Sequence, residues 1–252
     1  MKSKIFVPIL LTGAILLTSF HTAAAQERRK ISESDLRGRV SFVLTKQLGE
    51  RSSIVWDEEL RLKENLSQID RIYTTVGYSY SVCPWFKASA LYALIANNRG
   101  NGVSMEMRHR FYLELTASYK TGDWTFSLRE RPQVTIHTAH IDPGVAPQTA
   151  WVLRHRLMGE YKVPGTGWAP YAFVELTQTL NAPQSVGNYL EKVRSSLGVK
   201  YAFSKRSSLD IYYRFDYKVT DEPSFDDTGA LDFILSERGS HHIIGLEYGY
   251  KF

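Results

Sequence analysis

Tyr248-Gly249-Tyr250-Lys251-Phe252, at the end of the chain, alternates aromatic residues with a small or polar one and stops on phenylalanine. A period of two is the period of a strand, because successive side chains point to opposite faces. The pattern continues backward. Ile244, Leu246 and Tyr248 share the apolar face, and Ile243, Gly245 and Glu247 take the other. It recurs in Met107 to Tyr119, where Phe111, Leu113 and Leu115 interleave with Arg110, Tyr112 and Glu114. It recurs again in Leu209 to Val219, where Ile211, Tyr213 and Phe215 interleave with Tyr212, Arg214 and Asp216.

The length of these runs decides the fold class. A soluble strand averages about 5–6 residues, whereas a tilted strand needs about 9–11 to cross the hydrocarbon of a bilayer. Alternating runs fall at 39–48, 52–64, 69–83, 84–97, 104–120, 123–137, 149–163, 168–181, 189–203, 207–219 and 240–252. Most are long enough to cross. Short connections, such as Thr121-Gly122-Asp123 and the stretch around Phe203 to Arg206, alternate with longer ones rich in Gly, Pro, Asn and Asp. That is the plan of a transmembrane antiparallel β-barrel. The expected fold is all-β, with ten to twelve strands. The eleven segments break the even count of bacterial barrels. Parity predicts twelve, with residues 27–37 adding a strand, or ten, if 39–48 is not a full crossing. Glu58 sits on the face of Ile54, Trp56, Leu60 and Leu62, which should meet lipid.

The N-terminus addresses export. Lys2 and Lys4 precede the largely apolar run Ile5 to Phe20, and Ala23-Ala24-Ala25 is a small-residue cleavage site. Residues 1–25 read as a secretory signal peptide cleaved after Ala25, leaving 26–252 as one barrel domain. Cys83, the only cysteine, lies far from the leader, so neither lipoprotein acylation nor an intramolecular disulfide is available. Losing Lys2 and Lys4 lowers the formal charge from +5 to +3. An exported chain with so mild a charge does not point to nucleic acid. Tyr 15, Phe 12 and Trp 5 suit sheets and membrane interfaces.

The inward face is densely charged. Arg108/Arg110, Arg129/Arg131 and Arg154/Arg156 repeat an Arg-x-Arg element, and Arg194 and Arg214 join them. Glu59, Glu114, Glu175 and Asp216 share that face. Turn positions predict Arg129 across from Glu114, Arg154 across from Glu175, Lys200 across from Asp210 and Arg194 across from Asp216. A directly opposed ion pair stabilises a strand pair by about 0.2–1 kcal/mol. Two readings stay open: a paired ladder filling a narrow lumen, or a selective pore that attracts small anionic solutes. An enzyme is a third. His137, His140 and Asp142 lie in one connection and Asp226, Asp227, His241 and His242 around another, but no nucleophile spacing names a catalytic residue. No metal site or cofactor is expected: His241 and His242 are adjacent, so a strand sends them to opposite faces.

Asp57-Glu58-Glu59-Leu60-Arg61-Leu62-Lys63-Glu64-Asn65, then Asp70 to Tyr80, Met107-Arg108-His109-Arg110, Arg129-Glu130-Arg131 and Leu153-Arg154-His155-Arg156 resemble the outer-membrane β-barrels designated as a domain of unknown function, DUF2490. The resemblance implies the cell outer membrane of Gram-negative bacteria, with its lipid and lipopolysaccharide as neighbours. It also implies that Tyr248, Tyr250 and Phe252 are the terminal signal read by the barrel assembly machinery. It implies no activity.

Overall fold

Where the alternation runs, the chain is extended. The computed structural model describes residues 28–98, 105–137 and 149–252. Its strands are β1 (Arg28–Gln47), β2 (Ser52–Lys63), β3 (Gln68–Cys83), β4 (Phe86–Asn97), β5 (Glu106–Thr121), β6 (Trp124–His137), β7 (Thr149–Tyr161), β8 (Trp168–Thr179), β9 (Leu190–Ala202), β10 (Ser207–Phe225) and β11 (Leu231–Lys251). They form a closed barrel in sequence order. Every neighbour pair is antiparallel except the closure, where β1 and β11 run parallel over 18 consecutive positions, from Arg28↔Ile234 to Thr45↔Lys251.

Among the described residues the barrel has eleven strands, within the expected ten to twelve, and neither parity repair occurs. Residues 28–37 form no separate strand; they lengthen β1. Likewise 220–239 is mostly strand: β10 runs on to Phe225, a short turn follows, and β11 begins at Leu231. These polar extensions hydrogen-bond to one another as a tab above the barrel rim. Arg28 bonds Asp221 at 3.2 Å, and the Arg29 guanidinium lies 4.0 Å from the centre of the Phe233 ring. Strand pairing needs backbone partners, not apolar residues, so a polar segment beside an existing edge joins the sheet.

One end of the barrel carries the connections 48–51, 84–85, 122–123, 162–167 and 203–206, and the other carries 64–67, 180–189 and 226–230, together with the ends of β4 and β6 and the starts of β5 and β7. At the first end Gly122 takes a φ of 56° in its two-residue turn. At the second, Glu64, Asn65 and Leu66 all take positive φ, which costs a residue with a Cβ about 1–2 kcal/mol. Asp35 offsets part of that cost, accepting the N–H groups of Glu64 and Asn65 at 3.2 and 3.0 Å.

Burial alternates with the sequence. Leu157 and Leu197, in mid-strand on the outer wall, are 63% and 65% exposed, whereas Glu175 on the inner wall is 2% exposed. Rings collect at the short-turn end, where Trp124 packs on Tyr161 at 5.0 Å and Trp168 on Tyr201 at 4.5 Å. At the closure Tyr248 stacks on Phe42 at 5.8 Å. The terminal Phe252 N–H donates to the Thr45 carbonyl at 2.9 Å, and its own carbonyl accepts from Gln47 N–H.

Polar side chains on the outer wall are paired sideways. Glu58 stays on that face with no bulge at its position, accepting from Trp56 Nε1 and Thr74 Oγ1, both at 3.0 Å. His155 lies 2.5 Å from Glu130, Tyr92 pairs with His109 at 2.8 Å, and Tyr213 pairs with His242 at 2.7 Å.

Inside the lower barrel, large tyrosines lie over glycines. A Cβ on Gly245 would stand 2.0 Å from the Tyr212 ring, and one on Gly198 would stand 2.5 Å from Tyr171. Replacing Gly245 by alanine is therefore expected to lower the unfolding free energy by about 1–3 kcal/mol, the range for overpacking a filled site. Denaturant titration of the variant beside the parent protein measures it.

Candidate functional site: an arginine-lined lumen

The inward half of each alternating strand carries long polar side chains, and eleven strands aim them at one axis. They line a chamber of about 1280 Å³ in the loop-end part of the barrel. Its wall reaches down to Asp57, Tyr112, Arg129, Arg156, Phe173 and Arg214. Below that level Tyr171, Phe173, Tyr212 and Met158 pack together. Lys200 pairs with Glu160 at 2.6 Å there, and Tyr171 donates its hydroxyl to Asp210 at 3.0 Å. The chamber thus opens toward the long connections and has a filled floor.

A carboxylate network holds the lower chamber together. Glu175 accepts from Arg129 at 2.6 Å, Arg154 at 2.5 Å and Arg194 at 3.1 Å. Arg194 also forks onto both oxygens of Asp216 at 2.7 Å. Glu114 takes Arg129 at 3.1 Å and also Arg131. Glu59 accepts from Arg61, and Glu106 from Arg108 at 2.8 Å. Arg110 donates to Thr135 Oγ1 at 3.0 Å. A buried charge must be paired and hydrogen-bonded or it is strongly destabilising, and this network meets that demand by sharing single carboxylates among several guanidinium groups.

The sequence-derived register holds in one of three hairpins. Lys200 faces Asp210 and Arg194 faces Asp216, as predicted, although the Lys200 ammonium reaches Glu160. The other two registers are corrected by two residues: Thr116 faces Arg129, and Arg156 faces Glu175. The turns are centred one residue further along than the sequence suggested, which moves the pairing by two. An even slip preserves the inward face. The expected ion pairs Arg129–Glu114 and Arg154–Glu175 consequently form as diagonal contacts.

Other residues singled out from sequence lie apart from one another. His137 Nδ1 is 3.5 Å from Glu106 at the rim. His241 faces inward, 3.7 Å from Glu33, and His242 faces outward. Asp226 caps its own turn, accepting the Thr228 hydroxyl at 2.6 Å and the Ala230 N–H at 2.9 Å, and these bonds hold its carboxyl below the usual aspartate range. His140 and Asp142, and the leader with its cleavage position, lie outside the described residues. Among the described residues no group of three or more His, Cys, Asp or Glu is arranged to hold a metal ion. Sequence reasoning did not single out Arg39 or Tyr73. Arg61, quoted in the Glu-Glu-Leu-Arg element and two residues from Glu59 on one face, donates to Tyr73 at 3.0 Å.

Residues 40–226 match the sequence profile of a protein family described as "Protein of unknown function (DUF2490)". The chain belongs to the DUF2490 family. Comparison with curated proteins and with solved structures returned no match. The matched stretch runs from within β1 to just past the end of β10 and contains the Arg-x-Arg elements and all of the carboxylates of the lower network. In this DUF2490 barrel, Glu175→Gln is expected to lower the unfolding free energy by about 3–5 kcal/mol, because three guanidinium groups then lose one buried anion. The denaturation midpoint measures it; a shift near zero would mean the network adds nothing.

Proposed function

We propose that this chain is an outer-membrane β-barrel that admits small anions into its lumen from the loop end. The observation that carries the reading is the charge of the chamber. Among the described residues, fifteen Lys and Arg side chains line it against ten carboxylates. In a narrow low-dielectric conduit such a surplus attracts anions and repels cations.

Lipid as the outer solvent is supported by the wall. In water, mid-strand residues such as Leu157 and Leu197 would leave a large exposed apolar surface. The outward polar groups bond to one another, as groups facing hydrocarbon must. The rings at the short-turn end fit an interfacial girdle. On this reading residues 1–25 direct export and are cleaved after Ala25. The assembly machinery engages Tyr248, Tyr250 and Phe252, and phospholipid and lipopolysaccharide surround the wall.

The filled floor favours a second reading, a closed barrel that acts at its loop end as a surface-interaction protein or lipid-modifying enzyme. Current separates the two. In planar bilayers the refolded protein is expected to give small conductance steps with chloride favoured over potassium. Absence of current, or a potassium preference, removes the conduit. Lipid A mass profiles with and without the protein, and with His241→Ala, then test the enzymatic branch.

A further inference from the structure

Arg156 and Arg214 differ from the arginines around them. Both line the chamber floor. Their guanidinium carbons lie 5.3 and 5.4 Å from the centre of one ring, that of Phe173, and Arg214 is also 4.4 Å from the Tyr212 ring. Arg129, Arg131, Arg154 and Arg194 each bond a carboxylate. Neither Arg156 nor Arg214 has a carboxylate within 4.0 Å or a hydrogen bond among the described residues; the Nε of each is buried with no partner, as is that of Arg129 and Arg131. Arg39 adds a third positive charge nearby. Its nearest carboxylates, Asp216 and Glu59, are 3.9 and 4.0 Å away.

A guanidinium offers five N–H donors in a planar fork. Two such forks beside one aromatic ring, neither bonded to a carboxylate, have donors free for an anion. Pairing guanidinium with a phosphate-type oxyanion supplies parallel charge-assisted bonds, which a single point charge does not match in geometry. We propose that Arg156 and Arg214, resting on Phe173, form a binding site for a doubly charged tetrahedral oxyanion of the phosphate type. Two guanidinium groups that bond no carboxylate suit a dianion. The chamber above, at about 1280 Å³, leaves room for the organic part of a phosphate monoester. The proposal rests on the reading of the lumen as open to anions from the loop end, and names what it holds.

The test is isothermal titration of the folded protein, in lipid-free detergent, with sodium phosphate and separately with sodium acetate. One saturable phosphate site is expected. Arg156→Gln and Arg214→Gln each weaken it at least tenfold, and the double variant abolishes it. Arg156→Lys and Arg214→Lys, which keep charge but lose the fork, fall between. Lys205→Gln, on the exposed 203–206 turn, binds as the parent does. Heat-modifiable gel mobility confirms that each variant is folded. A parent protein that takes up no phosphate, or glutamine variants that bind it as tightly, overturns the site. Acetate binding as tightly as phosphate overturns the dianion assignment. Bilayer current decides the conduit separately, so a chamber that binds phosphate without conducting keeps this site and loses the channel.

Discussion

In a closed sheet every strand side chain has two destinations, the outer wall or a lumen shared with ten other strands. Within the barrel proper the backbone is satisfied by neighbours on both sides, and only the tab, at 28–37 and 219–225, keeps an open edge. What is left is a sorting problem with a period of two. Apolar residues such as Leu157 go outward, and arginines such as Arg154 go inward. The lumen then receives far more charge than the core of a soluble domain tolerates, and the carboxylates must be placed so that each serves several cations.

Glu175 illustrates the solution. It is almost fully buried and receives three guanidinium groups from β6, β7 and β9, so one acidic side chain ties its own strand to one adjacent strand on each side and to a third beyond. Asp216 extends the chain of contacts to β10 and, at longer range, to Arg39 on β1. The network therefore crosses the closure between the first and last strands. Replacement of all its members by apolar side chains of similar size could be neutral in stability. Such a lumen would no longer carry the surplus of positive charge that distinguishes the chamber.

Much of this was legible beforehand because a two-residue period is local information. Strand positions follow directly from it, and so does the inward face of Arg108, Glu114 and Arg131. Pairing register is less local, since it depends on where a turn is centred. The hairpin at 203–206 was read correctly, and those at 122–123 and 162–167 were misjudged by one residue in the turn. Salt bridges survived the error because arginine is long enough to reach diagonally. The eleven alternating runs matched the eleven strands, and the even-number rule was what pointed to ten or twelve; the polar extension of β1 was not legible. Residues 28–37 are polar, so they carry no alternation, and their strand state is induced by β11 alongside. Which arginines lack a partner was also hidden. It depends on the distances from each guanidinium to carboxylates on several other strands, and no spacing within one strand encodes that.

An odd number of strands has a topological result for the polypeptide itself. β1 starts at the rim that bears the long connections, and β11 finishes at the opposite rim. A tether joining the two termini would have to run the full height of the cylinder, through the occupied interior or along its greasy exterior. Circular permutation, which is easy in folds whose ends are adjacent, is thereby obstructed. On the proposed membrane reading, tags placed before β1 and after β11 report on opposite faces of the bilayer.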